Sequence, residues 1–176
     1  MEAENNKNIV LIGMPGAGKT YISNKLAKLL VHFSHVDIDK KIEIDTGMTI
    51  SEIFETHGEK YFRMLESKAI KEVSKYQNQI ISLGGGAFEN PDNIQTLKYN
   101  GIVFYLKASV DELFERIKNE THRPLLNCDS PKDALRRLMR KREKNYLKAH
   151  FTIDTNKKQA YTILNDILSE CENYVK

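Results

Sequence analysis

Residues 13–20 read Gly13-Met14-Pro15-Gly16-Ala17-Gly18-Lys19-Thr20. The octet fits G-x-x-x-x-G-K-[ST]. It follows directly on the apolar run Ile9 to Ile12 and opens an amphipathic pattern carrying Ile22, Leu26, Leu29 and Leu30. A strand, a glycine-rich turn and a helix in that order make a cradle for phosphate. The glycines let the main chain wrap closely around phosphate oxygens, so that successive N–H groups and the positive helix end face the negative charge. Lys19 is expected to reach the β- and γ-phosphates, and the Thr20 hydroxyl to ligate Mg²⁺. The expected nucleotide contacts are therefore Gly13, Gly16, Ala17, Gly18, Lys19, Thr20 and, next to them, Tyr21. A purine nucleotide site follows from motif and context together.

Outward from this loop, short apolar runs alternate with helical patterns, the signature of an α/β domain with a largely parallel sheet. Five strands are predicted, at Ile9 to Ile12, His35 to Ile38, Gln79 to Leu83, Ile102 to Leu106 and Phe151 to Asp154. Helix starts are marked by capping boxes at Thr49-Ile50-Ser51-Glu52 and Ser109-Val110-Asp111-Glu112. An N-cap before proline marks two more, at Asn90-Pro91 and Ser130-Pro131. Two stretches break the alternation. Lys40 to Lys75 is helical twice over, and Asn119 to Asp129 is polar and aperiodic; both are expected to handle substrate. The chain of 176 residues, 40% hydrophobic and 29% charged, suits one globular domain and excludes disorder or low complexity. No apolar run approaches the roughly 20 residues that span a bilayer, and the start lacks a secretory signal pattern, so a cytoplasmic protein without a membrane partner is expected. Cys128 and Cys171 form no metal knuckle, and a disulfide between them is unsupported. The net charge of +3 suits a small anion as well as it suits nucleic acid.

A guanine-nucleotide switch would need D-x-x-G after a strand and N-K-x-D for the base. No Asp has Gly three residues on, and Asn156-Lys157-Lys158 is followed by Gln159. The third strand also ends without the Asp that often holds the metal through water. Asp37-Ile38-Asp39 is the evident replacement: strand ends converge beside the phosphate loop, and alternation would set both carboxylates on one face. An N-cap with a solvated neighbour is the other reading of these two acids. Six basic residues between Arg136 and Lys144 share their helix with Leu135, Leu138, Met139 and Tyr146, so they read as a solvated face rather than a nucleic-acid site.

The phosphate loop, Asp37-Ile38-Asp39, Phe62-Arg63-Met64-Leu65-Glu66, Gly84-Gly85-Gly86, Arg123-Pro124-Leu125-Leu126 and Lys141-Arg142 before Tyr146 stand in the order and spacing of the shikimate kinases. The chain resembles that family from about residue 8 to about residue 156. The resemblance implies a three-layer, nucleoside-monophosphate-kinase-like P-loop fold, with a five-stranded parallel sheet in order 2-3-1-4-5 flanked by helices. A substrate-binding insertion at about 38–67 and a lid at about 117–130 would complete a single domain. The implied reaction is Mg²⁺-dependent phosphoryl transfer from ATP to the 3-hydroxyl of shikimate, by a monomer.

Shikimate is a carboxylated ring with three hydroxyls, so its pocket needs a cationic clamp at one end and hydroxyl acceptors at the other. In the family, the positions of Arg63 and Arg142 hold the carboxylate, a task for which the guanidinium fork suits better than an ammonium. Asp39 would accept from the hydroxyls, Asp37 would orient Mg²⁺ with Thr20, and Gly84, Gly85 and Gly86 would bring main chain close to the ring. Arg123 would balance charge on the γ-phosphate, and Arg116 would stack on adenine. Phe54 and Phe62 would wall the ring, although their spacing fits core packing equally well. The chain departs from the family at Lys157-Lys158-Gln159-Ala160, where members often carry a proline against adenine, and at Leu83, where many have Thr.

Overall fold

The computed structural model describes residues 7–119 and 130–175. Five parallel strands, β1 (Asn8–Ile12), β2 (Ser34–Asp37), β3 (Gln79–Ser82), β4 (Gly101–Lys107) and β5 (Phe151–Asp154), form one sheet in the order β2-β3-β1-β4-β5. The central β1 is buried along its whole length. Its neighbour β3 (Gln-Ile-Ile-Ser) is buried throughout, and β4 carries the continuous apolar run Ile102 to Leu106, as expected of strands covered on both faces. The helices α1 (Lys19–Leu29), α2 (Ile38–Thr46), α3 (Ile50–Val73), α4 (Pro91–Asn100), α5 (Val110–Ile117), α6 (Pro131–Tyr146) and α7 (Ala160–Val175) make the outer layers. Within α1, Ile22 and Leu26 turn to the core, whereas Leu29 faces solvent and Leu30 takes the inner side as the helix ends.

The caps explain most of the boundaries. Thr49 and Glu52 close a reciprocal capping box on α3, and Ser109 accepts from the Glu112 amide on α5. Asn90 accepts from Asp92 N ahead of Pro91. Ser130 stands at the start of α6 but its hydroxyl makes no cap bond, so only proline marks that start. Gly47 ends α2 with φ of 67°, the left-handed geometry glycine adopts without strain, and Gly58 (φ 78°, ψ 171°) breaks α3 in its third turn.

One boundary changes the reading of the acids. The predicted second strand extends to Ile38, but β2 stops at Asp37 and Ile38 already begins α2. Strand alternation therefore does not align Asp37 with Asp39. Asp37 caps α2 and Asp39 sits in its first turn. Among the described residues no helix is long and apolar enough to cross a membrane. Cys171 is buried, and Cys128 lies outside the described residues.

Candidate active site

At the carboxyl end of β1 the chain turns through Gly13 (φ 146°), Gly16 (φ 82°) and Gly18 (φ 87°). A Cβ on Gly13 would stand 2.7 Å from the Leu106 carbonyl oxygen, and one on Gly16 would stand 2.6 Å from Ile117 Cγ2. The loop is thus pressed against β4 and α5, which leaves no room for side chains. Lys19 Nζ donates to the carbonyls of Gly13 and Met14, each at 3.0 Å, which folds the ammonium back over the loop. A pocket of about 480 Å³ opens beside it, lined by residues 15–22 with Arg116, Lys158, Ala160 and Ile163. Arg116 is fixed by the Thr155 carbonyl (2.6 Å), by Glu112 (3.1 Å) and by the Gly16 carbonyl (3.4 Å). The segment lacking the family's proline thus contributes Lys158 and Ala160 to the wall, Ile163 follows from the first turn of α7, and Lys158 is pinned to Asp166 at 2.8 Å.

Asp37 joins the two halves of the site. Its Oδ2 accepts from Thr20 Oγ1 at 3.2 Å and from Ser82 Oγ at 2.9 Å, while Oδ1 accepts from Lys40 N at 3.2 Å. Asp37 is thus the N-cap of α2 and also stands beside Thr20, whereas Oδ1 of its neighbour Asp39 is buried rather than solvated. Among the described residues no cluster of three or more His, Cys, Asp or Glu could hold a metal. The hydroxyl and carboxylate of Thr20 and Asp37 nevertheless fit Mg²⁺, a hard ion that keeps several waters and takes one or two protein oxygens beside substrate phosphates.

Beyond Asp37, charged groups crowd around the glycine turn. A Cβ on Gly84 would lie 3.0 Å from Asp39 Oδ1 and 3.3 Å from Glu66 Oε1. Both oxygens are buried and find no hydrogen-bond partner among the described residues. Burial, followed by the nearby Asp37 charge, raises the Asp39 carboxyl above the usual carboxylate range, against the pull of Lys19 and Arg63. Glu66, only 1% exposed, is pushed up to about 7 by burial, although Arg63 opposes the shift with an ion pair at 2.8 Å.

The arginines flank the same turn. Arg63 is held by Glu66 and, at 3.2 Å, by Glu59, and its guanidinium lies over the Phe62 ring. A Cβ on Gly86 would stand 2.6 Å from Arg63 Cζ, and one on Gly85 would stand 3.0 Å from Arg142 Nη1. Arg142 Nε donates to Glu89 Oε1 at 2.8 Å, and the buried Tyr146 hydroxyl donates to the Gly85 carbonyl. Each glycine therefore has its own neighbour: Asp39 for Gly84, Arg142 for Gly85, Arg63 for Gly86. Phe62 is buried with its ring 4.8 Å from that of Phe54, which is about one-third exposed.

The structure thus gathers Lys19, Thr20, Asp37, Asp39, Arg63, Gly84, Gly85, Gly86 and Arg142 at the carboxyl ends of β1, β2 and β3, with Tyr21 and Arg116 in the nucleotide pocket. Arg123 lies outside the described residues, as does most of the 117–130 segment. Sequence reasoning missed Ser82, Thr155 and Glu89, and named Glu66 only as the last residue of the run that begins at Phe62. The one available signal was the strand register, which pairs Asp37 with Ser82 and is not visible from a single strand.

A family model described as shikimate kinase matches residues 15–172. The chain belongs to the shikimate kinase family. A family member from Thermodesulfovibrio yellowstonii is 43% identical over 94% of this chain and 95% of its own. Another, from Caldanaerobacter subterraneus, is 41% identical over 92% and 94%. The structure of the shikimate kinase from Acinetobacter baumannii in complex with shikimate superposes with a TM-score of 0.89 at 37% identity, over 96% of this chain and 94% of that one.

Proposed function

We propose that this chain transfers the γ-phosphoryl group of ATP to the 3-hydroxyl of shikimate, giving shikimate 3-phosphate and ADP on the route to chorismate and aromatic amino acids. The observation that carries this reading is the glycine turn, with two guanidinium groups against Gly85 and Gly86 and a buried carboxylate against Gly84. A ring acid with hydroxyls matches that polarity, its carboxylate toward Arg63 and Arg142 and its hydroxyls toward Asp39. In transfer, a bond forms between the 3-hydroxyl oxygen and the γ-phosphorus while the bond to the β–γ bridging oxygen breaks. The hydroxyl proton passes to Asp39, whose raised pKa suits a group that ends protonated. The phosphoryl transition state is loose, so Asp39 acts first by orienting the hydroxyl.

Lys19 and the loop amides bind the phosphates, and Arg116 and Tyr21 border the base. Thr20 and Asp37 would hold Mg²⁺, which when bound neutralises charge on the β- and γ-phosphate oxygens. The family resemblance adds Arg123, from a lid at about 117–130, as a further charge on the γ-phosphate. The insertion at about 38–67 corresponds to α2 and the first part of α3. We take the working form to be a cytoplasmic monomer. Coupled ADP release with shikimate, gluconate or AMP as acceptor tests the assignment: turnover is expected with shikimate, and preference for gluconate or AMP would overturn it.

A further inference from the structure

Glu89 ends the 3₁₀ turn Ala87–Glu89 that follows the glycines, so the turn that carries the substrate loop also carries this carboxylate. Its two oxygens are divided between two cations. Oε1 accepts from Arg142 Nε at 2.8 Å and Oε2 pairs with Lys141 Nζ at 2.8 Å. Burial opposes ionisation of Glu89, yet the bonds to Lys141 and Arg142 outweigh it and hold the carboxyl below its ordinary range. Arg142 is only 12% exposed, whereas Lys141 is 68% exposed. The Arg142 bond is therefore the one shielded from water.

The geometry of that bond decides what it does. A guanidinium has one Nε–H on its side edge and an Nη pair at its end. Glu89 takes the side edge, which fixes the plane of the group, and Nη1 is left 3.0 Å from the place a Gly85 Cβ would occupy. Because Glu89 is three residues from Gly86 and its amide donates to the Gly86 carbonyl at 3.0 Å, the anchor and the substrate loop are one rigid piece. Arg63 is held likewise, with Glu59 on its Nε edge and Glu66 on Nη1.

We infer that Glu89 is a positioning residue for the acceptor substrate: it orients the Arg142 fork toward the substrate carboxylate through Nε, without touching the substrate. The inference rests on the assignment of Arg142 to that carboxylate. Preorganisation of a charged fork lowers the ordering cost of binding, and it acts on the anionic substrate alone.

The test is steady-state kinetics on Glu89→Ala, Glu89→Gln and Arg142→Ala, with thermal unfolding alongside. Glu89→Ala is expected to raise KM for shikimate about tenfold, the size of one hydrogen bond to a charged group, with kcat and KM for ATP within about twofold. Glu89→Gln keeps an acceptor for Nε and is expected to restore most of the affinity, which a purely structural loss would not do. In the Arg142→Ala background, Glu89→Ala should add nothing further to KM. Should Glu89→Ala not fold, Glu89→Asp, which withdraws the carboxylate by one methylene, should raise the same KM several-fold. The inference is overturned if Arg142→Ala raises KM for shikimate while Glu89→Ala leaves it unchanged or lowers it, the latter meaning that Glu89 competes with the substrate. If Arg142→Ala itself leaves that KM unchanged, the assignment of Arg142 falls, and the role of Glu89 with it.

Discussion

Under the proposed function, the nucleotide end and the acceptor end of this site bind anions by opposite means. At the nucleotide end one contiguous octet supplies backbone amides and a single lysine, and its glycines are demanded by positive φ and by the walls of β4 and α5. At the acceptor end α2, α3, the glycine turn and α6 each contribute charged side chains, and every cation there is already paired with a carboxylate. A backbone cradle carries no net charge to desolvate, whereas the acceptor end buries Asp39 and Glu66 with oxygens that lack partners among the described residues. Phosphate binding is thus built into local conformation, and acceptor recognition into long-range charge balance.

Five substitutions sharpen that contrast. The largest effect is expected at the nucleotide end: Lys19→Ala should lower kcat by about 10²–10³, the range for losing one preorganised electrostatic group, with only a small fall in Tm. A kcat close to wild type would show that the cradle works without its lysine. Next, Asp39→Asn keeps shape and an acceptor, so the hydroxyl is still oriented, but discards the charge, and should lower kcat/KM for shikimate by roughly 10², the lower end of the span for a general acid–base group. Its Mg²⁺ requirement should stay near wild type, whereas Asp37→Asn should need more Mg²⁺ for half-maximal rate. The reverse pattern in paired Mg²⁺ titrations would exchange the two roles.

Gly86→Ala comes third. Its φ of −95° admits alanine, so the added methyl meets only the movable end of Arg63, at 2.6 Å from Cζ. KM for shikimate should rise about tenfold with little change in Tm, since a displaced fork loses one charged contact but no core packing. A large fall in Tm with unchanged KM would make Gly86 a folding residue only. The smallest effect concerns pH. Glu66 titrates at about 7 in the folded chain, above its unfolded value of 4.5, so the folded state holds the extra proton between these two values. Its contribution to stability is greatest below the unfolded value and is lost as pH rises through about 7. Denaturant unfolding from about pH 5 to about pH 8 should show the wild type losing stability relative to Glu66→Gln. A constant difference would place Glu66 ionised throughout.

The same contrast explains what could be read from the sequence. The octet, the five strands and most helix starts were legible because each depends on neighbours in the chain, whereas the strand order came only from the family resemblance. That Asp37 lies beside the phosphate loop was legible, but the geometry of the Asp37–Asp39 pair was not: Ile38 looked like strand, yet the cap on Lys40 N turns the chain into α2 there. Ser82, Glu66 and Glu89 left almost no trace, because each matters only through a partner in another element or another turn. A buried glutamate looks in sequence like any helix-surface glutamate.

The account turns on two arginines gripping one carboxylate, and the most direct measurement is kcat/KM for shikimate against its methyl ester in wild type, Arg63→Ala, Arg142→Ala and the double variant. The wild type is predicted to favour the acid by at least about 10², two charged contacts being lost in the ester, and each single variant to reduce that preference by about tenfold. In the double variant acid and ester should be used almost equally. Undiminished preference for the acid in the double variant would contradict the clamp and place the carboxylate elsewhere in the site.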